Sequence, residues 1–354
     1  MVMRINPAEL QRFSSEILTG AGMAEAPAES VSVGLLEAQL LGHVTHGLAL
    51  LPDYVEELLS GSMTPSGTPI ELSSHGAVTN WDGQRLPGLW TTELAVLEAE
   101  KRAATFGIGA VSVRNSHHIA CLATFLETPA RRNKMVMIFS SDPSDAHVAP
   151  FGGLKPVMTP NPIAVGIPTG GDPVMVDVST SITTAGLCGI KRSEDSDLPG
   201  HWVMDKHGTP TANPKVMLDG GSILPIGGLD HGHKGFGLSL MVEALTQGLA
   251  GFGRADGPTQ WGASVLVLVL DPALFGGTGA FNTQTSWLVD ACHASPVRAG
   301  NKAVRLPGEA GLKRKRLAME QGVEVGEKLY PALQELGHQR GVRLAAAQAL
   351  TPAP

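Results

Sequence analysis

Gly42-His43-Val44-Thr45-His46-Gly47-Leu48-Ala49-Leu50-Leu51-Pro52-Asp53-Tyr54 sets a histidine beside a hydroxyl, on or just past the end of a long apolar-periodic segment. Imidazole titrates near neutral pH, so His46 can both give and take a proton during a reaction. Thr45 can hydrogen-bond a ring nitrogen or a substrate oxygen while staying uncharged. The plainer alternative is a histidine favoured only by the negative end of a helix dipole. Spacing alone favours that alternative. The order of the motifs downstream reverses the balance.

Upstream, Pro7 to Leu18 reads as a helix with Asn6 as N-cap and Pro7 at its first position. A second helix opens at Pro27, with apolar residues at Val31, Leu35, Leu36, Ala38, Leu40 and Leu41. Tyr54 to Leu59 adds another helical turn or two. Downstream, strands are expected at Gly76–Asp82, Ile108–Val113, Met135–Phe139, Val174–Val178 and Val265–Leu270. Helices are expected over Thr92–Thr105, from His118 to about Arg132, over Leu238–Leu249, and through most of Leu306–Arg343. Gly/Pro-rich loops separate them. Strands alternate with helices, yet no GxGxxG follows a strand, so the usual dinucleotide fingerprint is absent.

The bulk numbers exclude several classes. A chain of 354 residues, 43% hydrophobic and 17% charged, is long enough for two or three domains around a large core. With only 2 Tyr and 9 Phe and a net charge of -7, it offers neither a base-stacking surface nor a basic one. Lys313-Arg314-Lys315-Arg316 reads as a solvated helix face, and no nucleic-acid partner is expected. Cys121, Cys188 and Cys292 form no CxxC pair, which fits reduced thiols. The first residues lack the apolar core of a signal peptide, and Val265–Leu270 is too short to span a bilayer. A cytoplasmic chain without a membrane partner is expected.

Several stretches suit a nucleotide. Asn115-Ser116-His117-His118-Ile119-Ala120-Cys121-Leu122 is expected at a strand-to-helix turn, where small residues let backbone N–H groups approach a phosphate. A metal shared by His117 and His118 is disfavoured, because adjacent helical residues point about 100° apart. Val174-Met175-Val176-Asp177-Val178-Ser179-Thr180-Ser181 ends a strand with an acid and three hydroxyls, a set suited to a ribose or an amide. In Gly227-Gly228-Leu229-Asp230-His231-Gly232-His233-Lys234-Gly235-Phe236-Gly237-Leu238, glycines permit close approach and Lys234 adds a cation, which suits a pyrophosphate. His231 and His233 have no third ligand at a recognisable spacing, so no metal is assigned.

These motifs, in this order from His43 to Glu309, resemble the malate/L-lactate dehydrogenase family, which is distinct from the Rossmann-fold dehydrogenases. Its early signature runs Ser-His-Gly-Val-x-Arg-Leu-Pro-x-Tyr. Thr45 stands for the Ser, His46, Gly47, Leu51, Pro52 and Tyr54 keep their places, and Leu50 stands where the family usually has Arg. His118, Ile119, Ala120, Cys121 and Leu122 take the places of its cofactor-contacting His-Phe-Gly-Ala stretch. Pro156–Pro162 resembles its Met-Gly-Thr-Asn-Pro loop, with Pro160 at the Thr position and Thr159 beside it. A substrate contact through Thr159 or Pro160 and an ordinary Pro-rich connection both remain open. Asp177, Val178 and Ser179 match Leu-Asp-Met-Ala-Thr-Ser. His233, Lys234 and Gly235 belong to a matching Gly-rich loop, and Gly200–Pro214 matches a turn motif. Arg305, Pro307, Gly308 and Glu309 match Arg-x-Pro-Gly-Glu.

The resemblance implies an α/β protein with a non-Rossmann malate/L-lactate dehydrogenase-like fold. It would join a mainly helical domain (1–75 with 133–190 and 300–354) to a mixed-sheet cofactor-binding domain (76–132 with 191–299). It implies hydride transfer between NAD or NADP and C2 of a small 2-oxo acid or a cyclic 2-imino acid, in a homodimer. His46 would be the general acid/base, with Thr45 beside it. Leu50 cannot hold a carboxylate as arginine does, so either Arg85, Arg114 or Lys155 takes over or the substrate is less acidic at that end, and a preference other than malate is expected. Leu187 stands where the imine-reducing branch carries an Asp. A non-catalytic nucleotide-binding relative is the alternative, and a metal-dependent hydrolase a distant third.

Overall fold

The computed structural model describes residues 3–345 and, for the backbone alone, 348–349. Its main feature is a seven-stranded mixed sheet, in the order Ile70–His75, Val78–Asp82, Ile108–Ser116, Ala263–Leu270, Met135–Ser141, Ile163–Ile167, Val174–Val178. Val78–Asp82 and Ile108–Ser116 run parallel, while the other neighbours are antiparallel. Ala263–Leu270 lies at the centre, which explains its unbroken apolar run: both faces are covered. Helix Gly88–Phe106 packs on the sheet through Ala95, Ala99 and Ala103. The approach is so close that a Cβ on Gly109 would sit 2.0 Å from the Ala99 carbonyl oxygen.

The helical part joins Pro7–Gly20, Glu25–Leu41, Leu51–Leu59 and Leu329–Arg340 around Leu10, Phe13, Leu35, Leu51 and Leu333. Asn6 caps the first helix, its side chain accepting from the Ala8 N–H at 2.8 Å. A small antiparallel sheet pairs Met3–Ile5 with Val323–Val325 and with Gln348–Ala349. Lys315 ties helix Glu309–Gln321 to Glu37 at 2.6 Å and to Glu127 at 2.8 Å.

Several expectations need correction. Residues 133–190 do not group with the helices. Their three strands each find an antiparallel partner in the large sheet and form the last three of its seven strands. No long helix follows His118: residues 117–121 are irregular, then come a 3₁₀ turn (Leu122–Phe125) and one short helix (Glu127–Arg131). The loop expected through Gly237 is already helical, with helices at Gly228–His231 and His233–Glu243. Ile70–His75 and Ile163–Ile167, not expected, are strands, and Ala185–Ser193 and Thr278–His293 are helices.

Candidate active site

Helix Glu25–Leu41 stops at Gly42, whose φ of 94° is left-handed and costs glycine little. The chain then makes two 3₁₀ turns, Val44–His46 and Leu48–Leu50, before helix Leu51–Leu59 begins. His46 and Leu50 therefore do not share one helix, but Thr45, His46 and Leu50 all face one cavity of about 460 Å³. Thr45 Oγ1 lies 2.8 Å from His46 Nδ1. Burial lowers the His46 pKa, the Asp177 carboxylate works against that, and His43 reinforces it.

The opposite wall comes from the stretch after strand Ile108–Ser116. His118 stacks on Trp261, with ring centroids 4.2 Å apart and 25° between planes. The buried Tyr54 hydroxyl lies 3.0 Å from His118 Nδ1 and 3.2 Å from its carbonyl oxygen. His117 turns the other way, with Nε2 2.9 Å from Glu57 Oε2. The two histidines thus serve separate partners. Ala120 holds φ at 54°, a left-handed conformation where the related motif carries Gly.

Ile119, Ala120, Cys121, Leu122, Thr159, Pro160, Asp177 and Ser179 also line the cavity. Thr159 is buried. Its hydroxyl donates to Asn161 Oδ1 at 2.8 Å and accepts from the Asp142 N–H at 3.2 Å. Asn161, at a φ of 47°, donates to Ser239 Oγ and to Glu243 Oε1, both at 2.9 Å. Glu243 pairs with Arg254 at 3.0 Å, and Arg254 donates to the carbonyls of Asp142 and Asp145. Thr159 therefore braces the Asp142–Asp145 wall through this network. Sequence reading missed Asn161, Trp261, Asp142, Asp145 and His147, all on the lining. The Asn-Pro step at 161 was the one available signal.

Val178, His233, Lys234, Gly235, Arg305, Pro307, Gly308 and Glu309 stand outside the lining. Pro307 accepts from the Met175 N–H at 3.0 Å, which sets 307–309 against the strand that ends in Asp177. Glu309 pairs with His293 at 2.5 Å. Gly235 packs helix His233–Glu243 onto the segment after that strand: a Cβ there would lie 2.4 Å from the Ile226 nitrogen and 2.7 Å from the Thr180 oxygen. Gly235→Ala is expected to destabilise the protein by about 1–3 kcal/mol or more. An unchanged urea midpoint would rule this packing role out. Leu187 sits in an apolar cluster with Val148, Met158 and Cys188. The carboxylate that acts on His46 is Asp177 instead.

Three neighbouring histidines resist protonation. Burial lowers His46 and His118, the latter well below the ordinary range, and holds His117 at about 4. The unfolded chain protonates each near ~6.5 and the folded chain only lower down, so this stability is present above ~6.5 and lost as pH falls below it. Each histidine contributes up to about 1.4 kcal/mol per pH unit in its window. Relative to His117→Gln, the wild type should lose stability more steeply between pH ~6.5 and ~4. Urea titrations at several pH values with parallel slopes would refute that.

Comparison with known proteins defines the class. The relatives are dehydrogenases and reductases, and the chain is an oxidoreductase of the class that acts on CH–OH or C=N groups. The malate/L-lactate dehydrogenase family model matches residues 5–334, and the chain belongs to that family. It is 29% identical over 352 residues to the L-sulfolactate dehydrogenase of Methanothermobacter thermautotrophicus, covering 97% of this chain and 98% of that one. It is 32% identical over 349 residues to the Delta(1)-pyrroline-2-carboxylate/Delta(1)-piperideine-2-carboxylate reductase of Pseudomonas putida, covering 95% and 97%. The solved malate dehydrogenase of Pyrococcus horikoshii superposes with a TM-score of 0.87 at 26% identity, covering 97% of both chains. That of Entamoeba histolytica, at 21% identity, gives a TM-score of 0.92 over 97% of this chain and 99% of the other, and supports the fold.

Proposed function

We propose that this chain transfers a hydride between a nicotinamide dinucleotide, NAD or NADP, and C2 of a small 2-oxo or 2-hydroxy acid, with His46 moving the proton. The observation that carries the reading is the Thr45–His46 pair, 2.8 Å apart on the cavity wall. The cavity falls in the ~300–1,000 Å³ range of small-ligand sites. The flat His118–Trp261 stack fits the face of a ring, and Asp177, Ser179 and the backbone of 118–122 would hold the rest. When bound, the nicotinamide supplies or accepts the hydride.

The chain itself handles the proton. With Nδ1–H donating to Thr45 Oγ1, His46 Nε2 carries the lone pair and is the titrating position, and no described residue hydrogen-bonds it. Its lowered pKa leaves His46 neutral at pH 7, ready to take the proton of a 2-hydroxy acid. Oxidation should therefore rise as pH climbs through that pKa, and reduction should fall. Asp177→Asn removes the charge that favours imidazolium, so both limbs should move to lower pH. Stationary limbs in kcat/KM profiles would refute the coupling. Of the three cations, Arg85 stands behind the Trp261–Gly262 stretch of the lining and outside the lining itself, and it would receive the substrate carboxylate in place of Leu50 by reaching past that stretch.

A second reading, reduction of a cyclic 2-imino acid, is favoured by the charge of the wall. Asp142, Asp145 and Asp177 line the cavity, and among the described residues no lysine or arginine does. A protonated imine is a cation. NADH and NADPH oxidation against pyruvate, oxaloacetate, longer 2-oxo acids and cyclic imino acids separates the two readings. Cofactor binding without turnover on any of them would overturn both and leave a non-catalytic relative.

We further read the chain as a cytoplasmic homodimer. Leu238, Leu240 and Met241 of helix His233–Glu243, together with Leu249 and Trp287, are exposed apolar surface that a second copy would cover. Its three cysteines are free, as a reducing compartment would keep them. No described helix is long and apolar enough to cross a membrane. A monomer by light scattering would refute the dimer.

A further inference from the structure

Three donors on the cavity wall, from three separate segments, stand close enough together to share one ion. His43 leaves the end of helix Glu25–Leu41, Cys121 lies on the irregular stretch after His118, and Asp177 sits at the end of strand Val174–Val178. One ligand atom from each lies within 4.8 Å of the others. Cys121 Sγ is 3.5 Å from Asp177 Oδ2. Zinc bonds of about 2.3 Å to sulfur and about 2.0 Å to oxygen, at a tetrahedral angle, put those two atoms about 3.5 Å apart. Two corners of a tetrahedron are thus already in place. The third needs a turn of the His43 ring, which no described residue hydrogen-bonds and which is only half-buried.

The surroundings suit the ion. The Ala123 N–H donates to Asp177 Oδ2 at 2.9 Å and holds the carboxylate in orientation, as outer-shell donors do at metal sites. Thiolate and carboxylate together cancel a divalent charge, so the partly desolvated site becomes neutral on binding. A sulfur ligand selects zinc-like ions over magnesium or calcium. All three side chains face the cavity, so the fourth position opens into it.

We propose that His43, Cys121 and Asp177 bind one zinc-class divalent ion, and that the bound ion reversibly blocks the cavity. On binding, the Cys121 S–H bond breaks, an S–metal bond forms, and the proton passes to solvent, so affinity rises with pH. No redox change is involved. The inference does not depend on which substrate the cavity takes.

The test uses the whole protein, freed of metal by a chelator and titrated with Co²⁺ under argon. A thiolate-to-cobalt charge-transfer band should grow to one equivalent and bleach on adding Zn²⁺. Cys121→Ser should abolish it, and His43→Ala should weaken binding by more than about tenfold. Cys292→Ser should leave it unchanged, although Cys292 neighbours His293. The site is overturned by no band in excess Co²⁺, by a band that survives Cys121→Ser, or by one lost with Cys292→Ser. The spectroscopic readout needs no turnover, so it stands or falls apart from the hydride-transfer reading. Where turnover is measured, Zn²⁺ at full occupancy should suppress it and a chelator should restore it. Undiminished turnover of the zinc-loaded protein overturns the blocking role.

Discussion

His46→Ala is expected to lower kcat by about 10²–10⁴-fold, the usual contribution of a positioned general acid or base, with cofactor affinity unchanged. His46 lies in a 3₁₀ turn beyond the helix end, only partly buried and outside the fully buried core. Truncation there removes a proton carrier and leaves the packing alone. The loss should therefore appear in kcat and kcat/KM together, the mark of an interaction made in the transition state. Thr45→Val is the graded companion. It deletes the 2.8 Å bond to Nδ1 and leaves the imidazole, so its cost should be that of one hydrogen bond, about tenfold or less. Near-normal turnover in His46→Ala, or a larger loss in Thr45→Val, would remove His46 from the reaction.

What was legible in the sequence followed from local physics. Asn6 reads as a cap because its side chain needs only the next turn. Val265–Leu270 reads as a buried strand because its unbroken apolar run needs cover on both faces. Ile70–His75 gives no such signal: all six residues are exposed on the sheet edge. Helix Thr278–His293 has no buried residue, so no apolar stripe marks it. Within the site, Thr45 and His46 are adjacent and readable as a pair. The Thr159–Asn161–Glu243–Arg254 network brings together residues far apart in the chain, and only the fold does so. Lys234 reads as a loop cation, yet it stands in the first turn of a helix, because Gly232 and Gly235 are buried packing positions and not flexible ones.

Arg85→Ala is expected to lower kcat/KM for a 2-oxo acid by about 10–100-fold, the value of a charge-assisted hydrogen bond of about 1.5–3 kcal/mol. None of the three candidate cations lines the cavity: Arg114 is committed to Asp82 at 3.1 Å, Lys155 is exposed on a loop, and Arg85 backs the wall at Trp261 and Gly262. Arg85 is half-buried, with no ion pair among the described residues. Its Nε donates to the Ser62 carbonyl at 2.7 Å and its Nη2 to that of Trp261 at 3.0 Å. Its Nη1 lies 3.4 Å from where a Cβ on Gly262 would stand, and Trp261 and Gly262 both line the cavity. Arg85 also holds a left-handed φ of 56°, a cost that persists only where the surroundings enforce it. Arg85→Lys keeps the charge but loses the planar fork, so it should recover only part of the loss. Truncation also removes two bonds to backbone carbonyls, so a general loosening of the wall must be separated from loss of the carboxylate contact. The neutral 2-oxo amide of the same substrate does this. It should be a poor substrate for the wild type and no poorer for Arg85→Ala, because the interaction is already gone. An equal drop on acid and amide would make Arg85 a brace for Trp261 and nothing more.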